Sequence, residues 1–264
     1  MNAPLFTSAW QWRRLALCQG LAFGLLLLWL IPTVRSQLLA FDAGLFHALN
    51  TPLAQSTAWL YLWTFFSLRP VDALVGLILL ALLVRGGWAY PARQVRPALA
   101  AFVGLLVVLL IMRTLLTKAI EAHGLQHASP SDVLAGAYLL SERFPGLEHG
   151  WELKDRSGAS FPGDHASVLL LWALFMAHFT RGGRRLVVAA LAVLFMLPRL
   201  VAGAHWGSDD YIGGLALALG VISLGLHTPL AAWFAYQGER LLTPPLCWLG
   251  RRLPVVGRLS LLRN

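Results

Sequence analysis

Two polar stretches break an otherwise apolar chain, and both carry residues suited to chemistry on an anion. The first is Ser160-Phe161-Pro162-Gly163-Asp164-His165-Ala166. The second is Pro198-Arg199-Leu200-Val201-Ala202-Gly203-Ala204-His205-Trp206-Gly207-Ser208-Asp209. Histidine and charge at membrane depth are expensive and mark sites. His205 and Asp209 are four residues apart. On a helix both lie on one face, so Asp209 can hold one ring nitrogen and leave the other free to attack. Arg199, six residues before His205, offers a planar cation for phosphate oxygens. His165 follows a Pro-Gly-Asp turn at the start of an apolar run. Such a turn gives a helix N-terminus whose free N–H groups attract an anion, and a histidine there can protonate a leaving oxygen. An attacking imidazole, an acidic imidazole and an arginine clamp suit phosphoryl transfer, where charge stabilisation dominates.

The elements that must position these groups are membrane helices. The 264 residues are 58% hydrophobic and only 12% charged, with a mean hydropathy of +0.65. A soluble domain carries about a quarter charged residues. Six apolar runs are read as spans: Leu15–Ile31, Val71–Val84, Ala98–Met112, Ala166–Thr180, Leu186–Leu197 and Tyr211–Leu226. The first is long and lacks a cleavage site, so it reads as a span and not a removed leader. Residues 32–56 read as mixed, and Ala58–Phe66 as an aromatic-rich interfacial segment. The expected fold is therefore an all-α integral membrane bundle of six transmembrane helices. A long outer loop, roughly Thr117 to Asp164, joins helices three and four. Residues 1–237 form the bundle, and 238–264 a basic amphipathic cytoplasmic tail.

The net charge of +9 rests almost wholly on arginine, since Lys118 and Lys154 are the only lysines. The arginines flank apolar runs, which argues for membrane orientation and against nucleic acid. With six spans, Arg13-Arg14, the Arg85–Arg96 loop, the Arg181–Arg185 turn and the tail share one side, and most of the acids lie on the other. The positive-inside rule then puts both termini in the cytoplasm and both polar stretches outside. Cys18 and Cys247 lack metal-ligand spacing and read as packing or lipid-facing residues. His165, His205, Asp164 and Asp209 are all possible metal ligands, but no HExxH-like pattern accompanies them, and neither metal nor cofactor is expected. Asp210 reads as a solvated neighbour of Asp209, and Trp206 as an interfacial residue.

These residues resemble the type 2 phosphatidic acid phosphatases. That family's third motif is Ser-Arg, five residues, His, three residues, Asp. Arg199, His205 and Asp209 keep its spacing, with Pro198 in place of Ser. Its second motif is Pro-Ser-Gly-His, and Pro162 and His165 keep its ends around Gly163-Asp164. The resemblance implies a phosphohistidine on His205, orientation by Asp209 and leaving-group protonation by His165. It also implies phosphate binding by Arg199 and by the backbone at Gly163 and Asp164. The first motif, Lys, six residues, Arg-Pro, is not kept. Lys118 and His127 stand nearest its place and take the role of its clamp residues.

Ser-Phe-Pro-Gly-Asp-His and Gly-Ala-His-Trp, with Ile31-Pro32 and Phe41-Asp42-Ala43, look like the branch of lipid A 1-diphosphate synthases. That branch implies transfer of a phosphoryl group from undecaprenyl diphosphate to lipid A at the periplasmic face of the bacterial inner membrane. Hydrolysis of undecaprenyl diphosphate or a phospholipid phosphate by the same residues is the alternative. A non-catalytic transporter or assembly partner is a third reading. A transferase must shield the phosphohistidine from water. The segment Val133–Phe144, with Leu134, Tyr138 and Leu139 on one stripe, is the expected cover, and Arg143, Lys154 and Arg156 beside it are possible contacts for the acceptor.

Overall fold

The computed structural model describes residues 5–252, with side chains through residue 241. Among these residues the regular structure is all helical, with one isolated bridge between Leu68 and Leu153. Helix α1 is Trp12–Leu30, α2 Pro32–Asn50, α3 Pro52–Gln55, α4 Thr57–Phe66 and α5 Arg69–Val84. Then come α6 Val95–Ala122, three short helices (α7 Pro130–Val133, α8 Leu140–Arg143 and α9 Pro145–Trp151), α10 Asp164–Phe179 and α11 Gly183–Ala202. A π-turn over Asp209–Gly214 leads into α12, Leu215–His227, and α13 covers Leu230–Arg252.

The apolar runs become helices because nothing inside them competes for the backbone, and prolines sit mostly at first turns. Pro32, Pro52, Pro70, Pro130 and Pro145 all occupy such positions, where the missing N–H costs nothing. Residues 32–56, which read as mixed, are mostly helical: Pro32 begins a 19-residue helix.

Helix α10 is the centre of the bundle. Leu169, Leu171, Trp172, Phe175 and Met176 are all buried on it, and a helix apolar on every side belongs in a core. Helices α6, α11 and α12 pack around α10, and the Trp172 indole donates to the Leu79 carbonyl of α5 at 3.1 Å. The outward faces of α1, α5, α6 and α11 expose Leu21, Phe23, Leu77, Val107, Ile111, Leu186 and Val193. On helices of this length such a surface faces lipid.

Among the described residues, four helices are long and apolar enough to cross a membrane: Trp12–Leu30, Ala92–Ala122, Gly183–Ala202 and Asp209–His227. Asp164–Phe179 is a shorter apolar helix of 16 residues, as is α5 in length. The chain is thus an all-helical membrane protein.

Three expectations need correction. Val133–Phe144, expected as one covering segment, is broken between α7 and α8, and the stripe residues Leu134, Tyr138 and Leu139 are half-buried. The outer loop starts later than Thr117, because α6 runs to Ala122. The boundary after residue 237 falls inside α13, which packs on α6: a side chain at Gly238 would meet the Ala100 Cβ at 2.1 Å. The amphipathic tail expected beyond residue 252 lies outside the described residues, as does the side chain of Cys247.

Candidate active site

The helix ends converge on one face of the bundle, and local geometry explains how. Helix α11 ends at Gly203, whose φ of 87° is left-handed, a conformation that glycine adopts without strain. The Arg199 carbonyl accepts from the N–H groups of Gly203 and Ala204 at 3.1 and 2.9 Å. The chain therefore folds back and sets His205 beside the arginine one and a half turns earlier. His205 is thus in the turn after α11 and Asp209 opens the π-turn, so their proximity does not come from the regular helix expected. The Asp209 carboxylate caps the turn by accepting from the Trp206 N–H at 2.8 Å.

His205 is only 4% exposed. Its Nδ1 lies 3.0 Å from the Ser160 carbonyl oxygen. A carbonyl can only accept, so Nδ1 carries a proton. Asp209 Oδ2 is 3.7 Å from the same nitrogen, so the immediate holder of the ring is Ser160 and Asp209 supports from behind. Asp209 itself accepts from the Ser160 hydroxyl and pairs with His127 Nε2 at 3.1 Å. On the other side of the ring, Nε2 is 3.1 Å from Asp164 Oδ1. Burial opposes charge on this imidazole, but the hydrogen bond to Asp164 and the nearby Asp209 carboxylate outweigh it and push its pKa up to about 10.

A cavity of about 330 Å³ opens beside this cluster. Arg69, Arg113, Lys154, Arg199, Asp72, Asp164 and His165 line its polar end, and Val75, Gly76, Leu79, Val168 and Leu169 its apolar end. The bridge at Leu68 and Leu153 brings two of those cations together. Arg69 N–H donates to the Glu152 carbonyl, and Lys154 N–H to the Ser67 carbonyl, both at 3.1 Å. Arg199 is 3% exposed and its Nη2 pairs with Asp72, while Nη1 is buried without a hydrogen-bond partner. A buried guanidinium donor left unpaired at a cavity wall is a vacant place for an anion oxygen.

The structure gathers His205, Asp209, Asp164, His165, Gly163 and Arg199 at this face. It does not bring Lys118 or His127 to the cavity wall. Lys118 is exposed on α6, and His127 is spent on Asp209. Arg113, one and a half turns earlier on α6, and Arg69 on α5 stand at the cavity instead. The Gly163 N–H is not free for phosphate either, because it donates to the Asp209 carbonyl at 2.9 Å. Asp210 is buried and its Oδ1 lacks a partner, contrary to the solvated role expected. Trp206 is likewise buried, donating to the Ala128 carbonyl at 2.8 Å. Sequence reasoning missed Ser160, Arg69, Asp72 and Arg113. The last three are charges at the edges of apolar runs, and the cost of such charges could have flagged them. Ser160 gave no signal, because it acts through its backbone carbonyl. No group of three or more metal-ligating side chains is found among the described residues.

Gly163 is required by space. A Cβ there would lie 2.3 Å from Asp210 Oδ1 and 3.0 Å from the Asp209 carbonyl. Gly163→Ala is therefore expected to cost about 1–3 kcal/mol by overpacking and to displace the start of α10. Thermal unfolding in detergent, read with turnover, checks this. An unchanged melting temperature and full turnover would show that Asp210 yields freely.

A site of this kind, set at the end of a membrane bundle, defines an enzyme that acts on phosphorus groups. The chain belongs to the lipid A 1-diphosphate synthase family. It is 30% identical over 213 residues to Lipid A 1-diphosphate synthase of Escherichia coli (strain K12), a match covering 80% of this chain and 85% of that protein. No family model and no solved structure matches.

Proposed function

We propose that the protein transfers a phosphoryl group from undecaprenyl diphosphate to lipid A, forming lipid A 1-diphosphate through a phosphohistidine on His205. The observation that carries this reading is the unpartnered Arg199 Nη1 at a cavity that also holds His165 and has an apolar end. That combination suits a phosphate attached to a lipid chain. Nδ1 of His205 keeps its proton on the Ser160 carbonyl. Nε2, once deprotonated, attacks the terminal phosphorus. The bond from phosphorus to the bridging oxygen breaks, and His165 protonates the departing lipid phosphate. An oxygen of the acceptor's phosphate then attacks the phosphohistidine and restores the imidazole. One diphosphate is consumed and one is made, so the anhydride is nearly conserved. Hydrolysis would lose it.

Orientation follows the charges. The Arg85–Arg96 loop and the Arg181–Arg185 turn meet at the end away from the site, where Arg184 Nη1 donates to the Trp88 carbonyl at 2.5 Å. Under the positive-inside rule that end is cytoplasmic. The six spans are α1, α5, α6, α10, α11 and the π-turn with α12, both termini are cytoplasmic, and the site faces the periplasm of the inner membrane.

Purified protein with terminally labelled undecaprenyl diphosphate, with and without lipid A, tests the reading. Label is expected to move to lipid A, with little free phosphate released in either tube. Equal release of free phosphate in both tubes would instead make the enzyme a lipid phosphatase.

A further inference from the structure

His205 does not open directly onto the cavity. It is absent from the residues lining it, and Asp164 stands between. The Asp164 carboxylate is held from three directions. Oδ1 accepts from His205 Nε2 at 3.1 Å and from the His165 backbone N–H at 2.6 Å. Oδ2 lies 3.6 Å from Arg113 Nη1. An imidazole N–H, a helix-terminal amide and a guanidinium are the donors that recognise a phosphate oxygen. The carboxylate is half exposed toward the cavity, and its ring partner is not.

We infer that Asp164 is a built-in phosphate surrogate, which occupies the anion position at His205 in the idle enzyme and admits only ligands able to displace it. The inference rests on the reading of His205 as nucleophile.

The chemistry balances without a further reactant. In the idle state Nδ1–H faces the Ser160 carbonyl and Nε2–H faces Asp164, so the ring is a cation and cannot attack. As a phosphate enters, the Nε2–H bond breaks and an Oδ1–H bond forms on Asp164. The freed lone pair turns to phosphorus. The resulting neutral carboxyl no longer repels the phosphate beside it. A small anion has only the contacts it takes from Asp164 and the Arg199 Nη1 donor. A lipid diphosphate has more: its second phosphate has Arg69 and Lys154 on the cavity wall, and its chain the apolar wall at Val75, Leu79 and Val168. Asp164 therefore selects lipid diphosphates over inorganic phosphate and single phosphates.

The test uses the full chain in detergent, with orthovanadate as a phosphate probe. Asp164→Asn keeps the shape and removes the charge. Vanadate inhibition is expected to tighten about tenfold or more, while turnover of the lipid diphosphate falls because the proton acceptor is lost. Those two changes run in opposite directions, which a merely structural defect would not produce. Glu152→Gln removes an exposed charge paired with Arg69 but outside the cavity lining, and is expected to shift vanadate inhibition by less than about twofold. Should Asp164→Asn melt early, Asp164→Gly serves as the second variant. Equal vanadate inhibition in wild type and both Asp164 variants, or equal tightening in Glu152→Gln, would overturn the surrogate. A labelled phosphoenzyme that still forms in His205→Ala would instead sink the nucleophile assignment itself, whatever vanadate does.

Discussion

His205→Ala is expected to abolish phosphoryl transfer, with turnover down by about 10⁴-fold or more. The variant leaves the cavity, Arg199 and the bundle in place but removes the imidazole proposed to carry the phosphoryl group. It should also lose the acid-labile label that wild type acquires from terminally labelled donor. Asp209→Asn should slow the reaction far less, by about 10- to 100-fold. The reason is distance: the Ser160 carbonyl holds Nδ1 at 3.0 Å, whereas Asp209 is 3.7 Å away. Asp209 acts by bracing Ser160, the Trp206 amide and His127, so its loss loosens the loop without changing the ring's tautomer. Burst amplitude and steady-state turnover, measured on both variants, separate the two roles. Equal loss in both would mean that the carboxylate does more for the ring than its distance implies.

The second large effect falls on Arg199. Arg199→Lys keeps the positive charge but loses the fork, so one ammonium cannot serve Asp72 and a phosphate oxygen as two nitrogens do. Removal of one charge-stabilising donor costs about 10²–10³ in turnover, and that loss is expected here. It should appear in kcat more than in KM, since the developing charge at phosphorus is what Nη1 faces. Melting temperature should hold, because the lysine can still pair with Asp72. A variant with wild-type kcat and a raised KM would show that Arg199 only binds the donor. Breaking the buried pair outright with Arg199→Ala would be a poorer test, since it strands Asp72 and confounds folding with catalysis.

Most of the fold was legible because apolar runs of membrane length leave the backbone little choice but helix. The runs around residues 71, 98, 166, 186 and 211 all became helices. Helix α2 was not legible: Pro32 and Asp42 lie in a stretch that read only as mixed. Asp42 is in fact buried, and it accepts from the Ser208 N–H at 2.8 Å. A polar residue that satisfies a distant turn looks, in sequence, like a residue that belongs in a loop. The continuity of Val133–Phe144 was not legible for the opposite reason. Its apolar spacing matched a helix, but Gly136, at a φ of 78°, breaks it, and Leu140 was drawn into a cluster with Leu53, Trp63 and Leu153.

The site divides along the same line. Sequence spacing placed Arg199, His205 and Asp209 in one short segment, and the left-handed turn at Gly203 folds that segment back on itself. The sequence also determined that the Pro162–His165 turn opens a helix. Only the tertiary structure decided what each polar atom has left to give. The amide of Gly163 is spent on the Asp209 backbone carbonyl, His127 on the Asp209 carboxylate, and His205 Nε2 on Asp164. Arg69 and Arg113 reach the cavity from helices more than 80 residues from His205 in the chain. Local spacing fixes proximity through covalent geometry, but a hydrogen-bonding group is free or occupied only once every neighbour in space is in position.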